Sequence, residues 1–151
     1  MPDHERGRPP AVPAWAGGRT GGHLIAVTDG RREMPAAHQA ARLAAATGGP
    51  VTVALLSRPP WTAAFDPSAL ECWRNGDLEI AALTRLSEIL DPAGARWRMV
   101  TVDGDPVRGI LAVARRHPPS WVLVPRSRRP FSGRRLASVL RSRHGLPLLL
   151  V

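Results

Sequence analysis

Lysine is absent from this chain of 151 residues, and cysteine occurs once, as Cys72. A lone cysteine excludes an intrachain disulfide and any thiolate-rich metal site, so an inert, buried thiol is the expected fate of Cys72. No apolar run is long enough to cross a bilayer. The N-terminal MPDHERGRPPAVPAWAGGRTGG has no continuous apolar segment and is not read as a secretory signal. Residues 1–21 are expected to be a disordered Pro/Gly/Arg leader, residues 22–151 one domain, and the protein cytoplasmic. With no lysine, every cation is an arginine, as a coding bias toward GC-rich codons would produce. The sequence pI of about 11.7 is therefore a weak sign of nucleic-acid binding by itself.

What is missing from one end says more. Residues 1–113 carry twelve arginines and twelve acids, which cancel, while the last 38 residues carry nine arginines and no acid. The whole net charge of +9 belongs to that end. Such an asymmetry creates a local positive field that attracts anionic ligands or surfaces. Its densest part is VPRSRRPFSGRR, residues 124–135, with five arginines around a Ser-Gly pair.

Hydrophobic patterning sets the elements. HLIAV (23–27) is β-rich and ends in the turn Thr28-Asp29-Gly30. MPAAHQAARLAAATGG predicts a helix with Pro35 in its first turn and Gly48-Gly49 as its stop. VTVALL (51–56) does not alternate, which predicts burial on both faces. Residues 57–75 break any regular pattern and predict a loop insertion. Ile80, Leu83, Leu86 and Leu90 then follow helical spacing, and RWRMVTV (96–102) predicts a third strand.

Beyond it, Asp105 suits an N-cap and Pro106 the first helical position, with Val107, Ile110, Leu111 and Ala114 as the apolar stripe. WVLV (121–124) is the fourth strand. Ser132 can cap a last helix whose apolar face is Leu136, Val139 and Leu140, and LPLLLV (146–151) is the fifth strand. Strands alternating with helices, each apolar enough to be covered twice, predict a three-layer α/β/α fold around a doubly wound parallel sheet. A ligand crevice should then open at the carboxyl ends of the strands where the winding reverses. Two segments compete to line it: Thr28-Asp29-Gly30 and the arginine loop.

Little points to catalysis. The five histidines, 4, 23, 38, 117 and 144, have no ligand spacing, and no nucleophile sits in an elbow motif. Asp103 and Asp105 read as turn and cap residues, with no second acid and histidine to complete a metal set. The protein is expected not to be an enzyme.

Three landmarks resemble the universal stress protein family of the adenine-nucleotide α-hydrolase-like fold. LIAVTDG is similar to the family's opening strand with its VDGS-like turn. VDGDPVRGILAVARRHPPSWVLV resembles its GDP segment leading into a fourth strand, and VLRSRHGLPLLLV resembles its C-terminal segment. The resemblance implies a five-stranded sheet of order 3-2-1-4-5 and homodimers paired through the last strand, 146–151. It implies ATP with Mg as the cofactor of those members that bind one. In those members the glycines of a G-x-x-G…G-S/T signature let main-chain amides close around phosphates.

Here Pro125 and Arg128 stand at the first two glycine positions, and Ser132-Gly133 resembles the closing pair in reversed order. Proline has no N–H, and arginine disfavours the positive φ that glycine adopts. The resemblance therefore implies a degenerate ATP site. It keeps Asp29 as the acid near the nucleoside, beside Thr28. Val27 and Leu56 match apolar contacts near the base, and Val124 matches the residue before the glycines.

Asp29 is either a simple turn residue or an acceptor for a ribose or adenine group. The loop arginines allow three readings: a solvated, self-repelling loop; an anion site in which Arg126, Arg128, Arg129 and Arg134 replace the lost amides with guanidinium forks; or a docking patch for nucleic acid, anionic lipid or an acidic protein. Against nucleic acid, only Phe131 interleaves with the patch. The expected function is universal-stress-like regulation or sensing with weak or absent ATP binding. The alternative is a basic module that docks an anionic partner through the loop and last helix.

Overall fold

The computed structural model describes residues 22–30, 33–57, 66–68, 71, 76–126 and 133–151. The expected leader, Cys72, most of the insertion at 57–75, and Arg128, Arg129, Phe131 and Ser132 lie outside the described residues. Within them the chain runs β1 (His23–Thr28), α1 (Pro35–Thr47), β2 (Val51–Ser57), α2 (Asp77–Leu90), β3 (Trp97–Asp103), α3 (Pro106–Arg116), β4 (Pro119–Val124), α4 (Gly133–His144) and β5 (Leu148–Leu150). All pairings are parallel and the order is β3-β2-β1-β4-β5, as the resemblance implied.

Burial on both faces explains the non-alternating strands. Leu24 and Ala26 of β1 face the layer of α1 and α2, whereas Ile25 and Val27 face the layer of α3 and α4. The first layer lies close because α1 buries Ala36, Ala37, Ala40, Ala41 and Ala44, with Leu43 as its one large side chain. Pro35 opens α1, and Gly48 closes it in the left-handed region, its N–H bonded to Ala44 O at 2.7 Å. At α3 the expected cap is in place: Asp105 Oδ1 accepts from Val107 N at 3.1 Å, with Pro106 behind it.

Three features depart most from the sequence expectation. On α2 the buried residues are Ala82, Leu86 and Leu90, while Ile80 is 62% and Leu83 42% exposed. The i, i+4 path through Ala82 sets the seam. At 100° per residue, Leu83 lies about 60° and Ile80 about 120° round from Leu86. Strand β4 begins at Pro119 rather than Trp121, and its register with β1 shifts there, as a residue without an N–H requires. Strand β5 is shorter than 146–151, although Pro147 O and both backbone groups of Val151 extend the pairing to β4.

At the amino-terminal edge of the sheet, His23 and His117 stack with ring centroids 4.9 Å apart and planes at 16°. Thr52, fully buried, sits beneath them. Arg98 Nε donates to Thr52 Oγ1 at 3.3 Å, and the same oxygen lies 2.6 Å from His23 Nε2. The Thr52 hydroxyl thus links the Arg98 guanidinium to the His23 ring. The groups that bear on His23 are His117 from the end of α3 and Arg98 from β3, with no acid among them. Burial, then His117, then Arg98, hold its pKa below the usual 6.5.

A histidine depressed in this way contributes stability that is complete above 6.5 and declines as pH falls through 6.5 toward the folded-state value. The melting temperature should accordingly fall between pH 7.5 and pH 5, above the range in which carboxylates titrate. His23→Gln should flatten that slope. An equal slope in the variant would remove the histidine pair as its cause.

Candidate functional site

The chain winds from β1 outward to β2 and β3, then crosses back to β4 on the other side of β1. The winding therefore reverses between β1 and β4, and their carboxyl ends frame the crevice. Ala26 pairs with Leu123. Continuing that register places Thr28 beside Pro125, so the two segments singled out in the sequence face each other.

The first wall is the turn after β1. Thr28 is buried, and its Oγ1 accepts from Gly30 N at 3.2 Å, closing the turn around Asp29. Gly30 has φ +78°, and a Cβ there would lie 2.9 Å from Leu78 Cδ1 and 3.2 Å from Leu55 Cδ1. Only glycine fits both the conformation and the space. Arg85 of α2 donates from Nη1 to Gly30 O at 3.3 Å, pinning the turn from the far side. Sequence reasoning missed Arg85. A contact across 55 residues leaves no trace in local spacing.

The second wall follows β4. Val124 is buried, Pro125 half-buried and Arg126 exposed. Val151 N donates to Val124 O at 3.0 Å, and Arg126 N donates to Val151 O at 2.8 Å. Pro125 has no N–H, and the amide of Arg126 is already committed to β5. Neither of the first two residues after β4 offers a backbone donor to an anion. Val151, too, was not among the expected site residues.

Val27, Leu56 and Val124 are brought together, but inside the core under α3 and α4, where they form the floor beneath the crevice. Gly133 is buried at the start of α4, and Arg134 beside it is exposed. Among the described residues no three His, Cys, Asp or Glu side chains come together as a metal set. Along the edge strand β5, Pro35, His38, Gln39 and Arg42 of α1 and Leu149, Leu150 and Val151 line a groove of about 490 Å³. No described helix is long and apolar enough to cross a membrane.

Solved structures similar to this one include a universal stress protein in complex with cAMP, with TM-score 0.65 and 19% identity over 88% of this chain and 98% of that one. UspA from Lactobacillus plantarum has TM-score 0.68 and 14% identity, covering 88% and 99%. A member of the family from Burkholderia pseudomallei has TM-score 0.61 and 19% identity, covering 87% and 96%. At these identities the likeness shows the fold. No curated protein matches the chain significantly. The family model described as the universal stress protein family matches residues 23–142, most of the domain, and on that match the chain belongs to the universal stress protein family.

Proposed function

We propose that this chain is a non-enzymatic, cytoplasmic regulator or sensor, homodimeric through its C-terminal strand, that binds ATP weakly or not at all. The observation that carries the proposal is the state of the backbone after β4. A phosphate cradle is made of main-chain amides, and here Pro125 lacks one while Arg126 spends its own on Val151 O. The described residues therefore do not fit a triphosphate held by backbone, and no described acid cluster is available to share a Mg ion with it. Asp29, Thr28 and the apolar floor of Val27, Leu56 and Val124 keep the nucleoside side of the crevice. The groove along β5 and that strand's place at the edge of the described sheet support the dimer.

Calorimetric titration with Mg-ATP should give a dissociation constant weaker than roughly 100 μM, about −5.5 kcal/mol. Low-micromolar binding at ordinary salt would overturn the proposal. Titration with cAMP, the ligand of one similar structure, asks how much of the loss lies in the phosphate site, because cAMP carries a single phosphate.

A second reading is favoured by one fact: every acid of the chain precedes Pro106. On this reading the arginine loop and α4 form a basic docking surface for an anionic partner.

A further inference from the structure

We infer that the outer face of α3 and α4 is a docking plateau for double-helical nucleic acid, gripped through its phosphates without regard to sequence. This inference rests on the second reading and extends it, because α3 supplies half of the surface and, of the loop arginines, only Arg134 takes part.

The fold assembles the plateau from two separated segments. Helices α3 and α4 cover the same face of the sheet over one core cluster and pack side by side. Each runs back from one parallel strand to the next, so the two helices are parallel to each other. On α3, Arg108, Ala112 and Arg115 are exposed; on α4, Arg134, Ser138 and Arg141 are exposed. Both triplets have the spacing i, i+4, i+7, which keeps them on one stripe of a helix.

The result is two matching rows, arginine–small–arginine. Seven residues separate the arginines of each row, about 10.5 Å along the axis. Packed helices lie about 8–10 Å apart. The four arginine backbones thus stand near the corners of a square, with small side chains between them. Arg116 and Arg143 extend the lower rank, while Arg141 Nη2 donates to Leu148 O at 3.3 Å, a bond to β5 that it exchanges for a phosphate on docking.

Charge is sorted across the sheet in the same sense. No acid occurs on α3, α4 or anywhere after Asp105, whereas α2 on the opposite face carries Asp77, Glu79 and Glu88 and ends at Asp91. A molecule so polarised presents one side to a polyanion. The chemistry of that side selects among polyanions. Bilayer-seeking helices place Trp, Phe or Leu among their basic residues, but the exposed large hydrophobics among the described residues, Ile80 and Leu83, are both on α2. Single strands need aromatic platforms, and Trp121 of β4 packs on the opposite face of the sheet, against the α1 and α2 layer. Arginine forks on a backbone frame whose span is close to the roughly 12 Å of a major groove match phosphates on either side of a duplex groove.

The test uses the full chain and a labelled 30-base-pair duplex of random sequence, followed by fluorescence anisotropy between 50 and 200 mM NaCl. Four phosphate contacts predict a log–log salt slope of about −3.6, or about 150-fold weaker binding across that range. The quadruple variant Arg108→Gln, Arg115→Gln, Arg134→Gln, Arg141→Gln should keep its circular dichroism and lose at least tenfold in affinity at 50 mM, with a slope near zero. If the quadruple variant binds like the parent while Arg126→Gln, Arg128→Gln, Arg129→Gln does not, the plateau is refuted and the loop is the docking surface. Binding to phosphatidylserine vesicles or to polyglutamate but not to the duplex refutes the choice of partner and leaves the second reading standing. Binding to none of the three sinks both.

Discussion

Gly109→Val should lower the free energy of unfolding by about 3 kcal/mol, the upper end of what overpacking a close contact costs. Helix α3 rests on β3 at this residue. A Cβ on Gly109 would lie 2.0 Å from Val102 Cγ1 and 3.1 Å from both Val102 Cβ and Cγ2. No rotation of Val102 clears all three atoms, so the helix has to rise from the sheet. Doing so loosens Ile110, Val113 and Ala114, which α3 buries in the same cluster.

The milder change Gly109→Ala separates packing from propensity. In an exposed helix interior, alanine is favoured over glycine by about 1 kcal/mol; against Val102 it should be unfavourable instead. Val102→Ala removes both methyl groups, so the double variant should be more stable than the two single changes add up to, by about 1 kcal/mol of coupling. Urea titration of the four proteins measures each quantity. If Gly109→Ala raises the midpoint, close approach of α3 to β3 is not what this glycine provides.

That contact also marks the limit of what the sequence discloses. Strands β1, β2 and β4 were legible because burial on both faces removes alternation. The ends of α1 and α3 were legible because Gly48 and the Asp105-Pro106 pair act on their own backbone. Each of these signals is local. Gly109 reads as an ordinary weak point in a helix until β3 is brought beneath it. Ile80 and Leu83 have helical spacing, yet the seam runs through Ala82, and only the partner surface decides which of two apolar stripes is covered.

At the site the division is the same. Asp29 and Pro125 could be placed from the turn after β1 and from the family's glycine pattern. The hydrogen bonds from Arg85 to Gly30 O and from Arg126 to Val151 O join elements far apart in the chain. The second of these is the more consequential, because it turns a motif missing two glycines into a backbone with no donors to spare at two successive residues.

Pro125→Gly should therefore raise the affinity for Mg-ATP at least tenfold while slightly lowering stability. The substitution returns an N–H at the position beside Thr28, facing the crevice between β1 and β4. A hydrogen bond to a charged group contributes about 1.5–3 kcal/mol, and each 1.4 kcal/mol or so is a factor of ten. Against this, releasing the proline ring frees the unfolded chain and costs about 0.4–1 kcal/mol of stability. Affinity and melting temperature should move in opposite directions, which a general tightening of the fold would not produce. Pro125→Ala supplies the same donor without glycine's freedom, so an equal gain there assigns the effect to the N–H. No gain in either variant would show that the missing amide is not what limits binding. The gain also has a ceiling, since Arg126 N stays bonded to Val151 O in both variants; full affinity requires β5 to give that hydrogen bond up.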